Sequence, residues 1–274
     1  MRSYEELVKE IYDELDKDGN DTNRKYDKFF INNSDYPDFR LQEPSLWTYW
    51  QGRGVRNPKI MVVGQDWGSI EQSRKYYEYI KIHPEARVVC LEQIKKEFSE
   101  CKDSDFKTDE ELVKLMQSLG YGNICERDYP ELYFTNLIPG YRNSSKSTGN
   151  GSKVAKAITG QVEKDFRNLL EILQPKVVIC LGRLVGETVA MWYGCADEIK
   201  GEKSFNKFLY KELHENGAKP MKLKKGNEHI ADMFVIAHLG NLGIANRRRG
   251  MKEEEKKNYP EKDWEAIGNY LNKN

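Results

Sequence analysis

Four short segments of the chain concentrate β-branched and apolar residues, and each closes on a small or polar one: Lys59–Gly64, Glu131–Asn136, Lys176–Gly182 and Met233–His238. Their apolar runs are continuous rather than alternating, the pattern of strands covered on both faces, as in a parallel sheet. Tyr4 to about Leu15 reads as a helix ahead of the first of them, and helical periodicity lies between them. Thr108-Asp-Glu-Glu111 has the form of a capping box, followed by Leu112, Leu115, Met116 and Leu119, with Gly120 as the stop. Val154, Ile158, Val162, Phe166, Leu169 and Leu173 form one helical stripe closed by Pro175. Gly182 to Met191 reads as a further helix, directly after a strand. Alternation of strand and helix implies right-handed βαβ crossovers. The expected fold is α/β, a three-layer α/β/α sandwich with a central four-stranded parallel sheet.

The length, 274 residues, is enough to bury one sizeable core, so a single domain over 1–274 is expected. Residues 1–57 read as a helical and loop extension containing Trp47 and Trp50, and residues 70–107 as a charged, helical insertion. The polar stretch 143–152 reads as a loop, and 197–228 is basic and poorly patterned. Lys plus Arg and Asp plus Glu are both 44, so the net charge is zero. That excludes a protein working by bulk basicity but leaves room for a local basic patch. The first 50 residues carry 7 basic and 12 acidic side chains, so this end is expected to face away from nucleic acid.

No apolar run approaches the roughly 18 residues that would span a bilayer. The segment Met-Arg-Ser-Tyr-Glu-Glu lacks the apolar core of a signal peptide. The five cysteines are scattered, with no Cys-x-x-Cys. This pattern argues for reduced thiols in a cytoplasmic protein, and against a zinc ribbon, a disulfide framework or an iron–sulfur set. No cofactor and no metal are implied.

In an open parallel α/β sheet, ligands bind outside the carboxyl ends of the strands. The residues at those exits are Gly64-Gln-Asp-Trp-Gly68, Thr135-Asn136, Gly182-Arg183 and His238-Leu-Gly-Asn-Leu-Gly243. No Gly-x-x-x-x-Gly-Lys or Gly-x-Gly-x-x-Gly follows the first strand, so the common nucleotide-binding motifs are absent. Four motifs in order, Val63-Gly-Gln-Asp-Trp-Gly68, Phe134-Thr-Asn136, Pro175-Lys-Val-Val-Ile-Cys-Leu-Gly182 and Ala237-His-Leu-Gly-Asn-Leu242, resemble those of the uracil-DNA glycosylase superfamily. The resemblance covers about residues 58–250.

That resemblance implies hydrolysis of the N-glycosidic bond of uracil or a related deaminated base in DNA, by a cofactor-free, monomeric enzyme. It implies that Asp66 orients a water and stabilises the oxocarbenium-like transition state, and that His238 donates to the uracil O2 as charge develops there. Asn136 would read the flipped base, with Gly64, Gln65, Trp67 and Gly68 completing the base cradle. Leu242 falls four residues after His238, the offset of the family's wedge residue. The run Arg247-Arg248-Arg249, just beyond, is positioned to bind phosphates.

Several departures mark a divergent branch. Trp67 replaces the usual proline, Gly68 stands where the best-known branch has a tyrosine, and Leu239-Gly240 replaces Pro-Ser. Tyr76, Tyr77 and Tyr79 are the candidates for the base-stacking aromatic. A repurposed member of the fold that binds nucleic acid or nucleotide without cutting it is the alternative. The residues also admit plainer roles: Asp66 as a helix cap, Asn136 as a turn-stabilising side chain, His238 as a packed histidine, and the arginine run as a solvated helix face.

Overall fold

The structure, a computed structural model, describes residues 2–15, 17, 21–26, 30–31, 57–68, 82, 107–124, 129–142, 151–215, 217–249 and 251–273. In chain order the helices are α1 (Tyr4–Leu15), α2 (Lys107–Ser118), α3 (Gly151–Ala157), α4 (Gly160–Leu173), α5 (Arg183–Trp192), α6 (Asp197–Lys200), α7 (Phe205–Tyr210), α8 (Asn241–Arg248), α9 (Glu253–Lys256) and α10 (Glu261–Leu271). The strands are β1 (Phe30–Ile31), β2 (Ile60–Gly64), β3 (Leu132–Asn136), β4 (Tyr141–Arg142), β5 (Val177–Leu181), β6 (Met221–Lys225) and β7 (Glu228–Ile236). The chain is α/β, and it divides into two compact units, one of residues 1–99 and 130–175 and one of residues 100–129 and 176–274. The sequence pattern does not mark that division. Apart from residues 82 and 107, the expected 70–107 insertion lies outside the described residues, as do the tryptophans at 47 and 50, the loop 143–150 and the three tyrosine candidates.

In the first unit, β2 and β3 pair in parallel, from Ile60 against Leu132 to Gly64 against Asn136. Every residue of both strands is buried, as their continuous apolar runs require. Helix α1 turns Leu7, Val8, Ile11 and Leu15 inward and packs against α4. Tyr4 and Tyr133 share a hydroxyl–hydroxyl bond of 2.8 Å, which satisfies a phenol at the centre of the unit. The Tyr26 hydroxyl donates to Asp165 at 2.8 Å; burial, reinforced by that carboxylate, pushes the phenol well above its ordinary range. The single stripe expected from 154 to 173 is two helices, because the Thr159 side chain accepts from the Val162 amide and starts α4 afresh.

In the second unit, β5 and β7 are parallel and β6 returns antiparallel along β7, with a bulge between Leu223 and Lys224. This corrects the expectation of a purely parallel sheet. Met221 and Leu223 point inward while Lys222, Lys224 and Lys225 face solvent. A period-two signal was therefore present inside the basic segment that reads as unpatterned. Lysines on such a strand also discourage pairing with other chains. Helix α5 follows β5 as expected, and Gly186 lets it lie directly on Val235: a Cβ there would meet both valine methyls at 2.6 Å.

The capping box is also corrected. Helix α2 begins at Lys107, one residue before the expected cap. Glu111 is buried and its carboxylate accepts from Lys107 and from Lys114 at 2.8 Å. Burial alone would raise this carboxyl, but the two lysines outweigh it and hold it below the ordinary glutamate range. A carboxyl depressed in the folded state stabilises the fold above its unfolded value, and loses that contribution as pH falls through the folded one. Glu111→Gln is expected to remove this acid-dependent part. Urea midpoints of the wild type and the variant should converge as pH is lowered from 6 to 3, and a constant gap would place the stabilisation elsewhere.

Candidate functional site

In the first unit, the exits of β2 and β3 lie side by side because Gly64 and Asn136 are register partners. The buried Asn136 side chain folds over Gly64: a Cβ on Gly64 would stand 2.1 Å from Asn136 Oδ1. Only glycine permits this, so the amide is held in one place by the bare backbone beneath it.

Beyond Gly64, the turn through Gly68 is zipped to the segment after β3 by backbone bonds. Leu137 donates to Gly64 O at 2.8 Å, Ile138 to Gln65 O at 3.0 Å, Trp67 to Gly140 O at 3.2 Å and Arg142 to Gly68 O at 2.8 Å. Trp67 packs against the Tyr141 ring at 5.1 Å and the Tyr12 ring at 6.2 Å, so it serves as the turn's apolar anchor.

Asp66 sits at the centre of this turn. Its Oδ1 accepts from the Gly68 amide at 2.8 Å and from Arg142 Nε at 2.9 Å, while Oδ2 accepts from Gln65 Nε2 at 2.9 Å. The Asp66 and Arg142 side chains are 3% and 6% exposed. A carboxylate offers about four acceptor positions, and three are taken by the protein. As it stands, Asp66 is a buried ionic lock on the turn. Arg142 was missed by sequence reasoning because its partner lies 76 residues away, and no local pattern announces a pairing of that length.

In the second unit, His238 follows β7 and its ring is exposed. The Gly240 amide donates to His238 Nδ1 at 2.9 Å, which in the neutral ring leaves the proton on Nε2. His238 is therefore oriented by its own turn and is not packed in a core. The turn is tight: a Cβ on Gly243 would fall 1.9 Å from His238 O, so that position admits glycine alone. Leu242, on the first turn of α8, is 64% exposed.

The arginine run separates into three different environments. Arg247 is 1% exposed; Nε and Nη2 grip the two oxygens of the fully buried Asp263 at 2.6 and 2.9 Å, and the guanidinium lies 4.4 Å from the Tyr259 ring centre. Asp263 also receives His214 Nε2 at 2.8 Å. The expectation that Arg247 binds phosphate is corrected: it is a core ion-pair residue. Arg248 donates to Tyr259 O at 2.6 Å and reaches Glu261, and Arg249 is exposed. Asn206 Nδ2 caps the same helix end, donating to the carbonyls of Asn246 and Arg249. Helix α8 is thus anchored at its far end, with Leu242 projecting at the other.

Burial raises the Cys180 thiol far above its ordinary range and pushes Cys195 up to about 11, so neither is a ready nucleophile. Among the described residues, no cluster of three or more His, Cys, Asp or Glu side chains is placed to hold a metal ion, and no helix is long and apolar enough to cross a membrane. A scan against protein-family models and a search of curated proteins found no match to the chain.

Proposed function

We propose that the chain is a DNA base-excision hydrolase of the uracil-DNA glycosylase type, built on that superfamily's three-layer α/β/α sandwich and cleaving the N-glycosidic bond of uracil or a related deaminated base. The observation that carries the reading is the Asn136 amide clamped over bare Gly64, at a strand exit beside the Gln65-Asp66 turn. An amide presents both a donor and an acceptor, the pairing that the edge of uracil asks for. In the second unit, the fixed Nε2–H of His238 is the donor suited to a base oxygen on which negative charge grows as the bond breaks. Asp66 has one acceptor position left after its three protein partners. That position would hold the attacking water and favour positive charge on the sugar.

The test is excision from oligonucleotides carrying uracil, hypoxanthine or xanthine, read as alkali-labile abasic sites. Cleavage at one of these bases supports the proposal; intact strands with all three, at enzyme in excess, overturn it. A second reading has its own support in the 3% exposure of the Asp66 side chain and its ion pair with Arg142. A carboxylate so enclosed suits a protein that binds a nucleic acid without cutting it. Tight binding of the uracil oligonucleotide without abasic product would select that reading.

Leu242 supports contact with duplex DNA, because an exposed apolar side chain on an anchored helix can enter a base stack. Leu242→Ala should lower excision from a paired duplex several-fold more than excision from a single strand, with little change in thermal stability. Equal effects on both substrates would remove the wedge role.

A further inference from the structure

Thr108, near the start of α2, faces the turn that carries His238, although nothing in its sequence context places it there. Its expected duty as a helix cap is not performed, since α2 starts before it and Glu111 is engaged by Lys107 and Lys114. Instead the hydroxyl faces Gly240. A Cβ built on Gly240 would stand 3.1 Å from His238 Nδ1, 3.2 Å from His238 Cε1 and 3.3 Å from Thr108 Oγ1. The imidazole and the hydroxyl therefore close on one spot above a bare backbone, and any side chain at 240 would press against both. Thr108 is only partly buried.

We propose that Thr108 is a second ligand-contacting residue of the His238 turn. Resting on the glycosylase reading, it takes part in binding the polar edge of the base that His238 meets. A hydroxyl both donates and accepts, so it serves a base edge that alternates oxygen and nitrogen. When it donates to the oxygen that becomes negative as the glycosidic bond breaks, the bond strengthens in the transition state, and its loss appears in the rate of chemistry.

The experiment uses the full chain and a short single-stranded oligonucleotide with one uracil, which avoids any contribution from opening a duplex. Single-turnover rates and oligonucleotide affinities are compared for the wild type, Thr108→Val, Thr108→Ser and Gly240→Ala. Thr108→Val keeps the shape and removes the hydroxyl, so the single-turnover rate should fall about tenfold to a hundredfold. Thr108→Ser should stay within a few-fold of the wild type, and Gly240→Ala should lose activity like the valine variant. Thermal midpoints of both Thr108 variants should match the wild type. Full activity of Thr108→Val or of Gly240→Ala overturns the assignment of Thr108 while leaving the glycosylase reading intact. So does a serine variant as impaired as the valine one, because the methyl group would then be what matters. A wild type that leaves uracil uncut overturns the glycosylase reading itself, and this inference with it.

Discussion

Arg247→Ala is expected to destabilise the second unit by about 3–5 kcal/mol, one of the two largest effects anticipated for single substitutions in this chain. The guanidinium and Asp263 are both 0% exposed in their side chains, so removing one leaves the other as a buried charge without its main partner. The cost of that uncompensated charge exceeds what the pair contributes relative to an apolar substitute. Asp263→Ala should therefore cost a similar amount, stranding Arg247 and depriving His214 of its acceptor. Replacing both together, as Arg247→Met with Asp263→Leu, should recover most of the loss, since no charge is then left buried. Equilibrium urea unfolding measures all three. An Arg247→Ala cost below about 1 kcal/mol would identify the residue as a solvated arginine. If DNA is bound, the same series should leave its salt dependence unchanged. Removal of Arg248 and Arg249 should instead flatten the slope of log affinity against log salt by up to about two units if each meets a phosphate.

Asp66→Asn should abolish measurable excision, with a fall of several orders of magnitude in the single-turnover rate, if the carboxylate stabilises charge at the sugar. The structure adds a second consequence. The asparagine retains an oxygen for the Gly68 amide, but Arg142 loses the Asp66 carboxylate in a nearly closed site. The single variant is therefore expected to lose several kcal/mol of stability as well. Loss of activity alone does not separate chemistry from collapse of the turn. Asp66→Asn combined with Arg142→Met separates them: the cap on Gly68 survives, the buried guanidinium is gone, and much of the stability should return. Excision should stay lost. Recovery of excision along with stability would show that Asp66 acts only by holding the Gly64–Gly68 turn.

Much of this was legible along the chain. Continuous apolar runs announced β2, β3 and β5 and the buried end of β7, because a strand covered on both faces has no polar side to display. The exit residues followed from the strand ends, and Gly64 with Asn136 proved to be neighbours. The signal for β6 was present but short, two inward residues among lysines. Arg247 was also readable in principle. Successive helical residues point about 100° apart, so three arginines in a row cannot share one face, and Arg247 follows the buried Ile244 by three positions on the inward stripe.

The sequence by itself determined the buried strands β2, β3, β5 and β7, their order and the residues delivered to their exits. These depend on local periodicity, which repeats within a few residues. Tertiary structure decided what those residues do. It closed Asp66 onto Arg142 across 76 positions, folded Asn136 over a glycine on a different strand, turned Arg247 inward onto Asp263 and brought Thr108 to Gly240. Each of these pairings joins groups far apart in the chain, and each is selected by the cost of burying charge or by the space a missing side chain leaves. Neither quantity exists until the chain has folded.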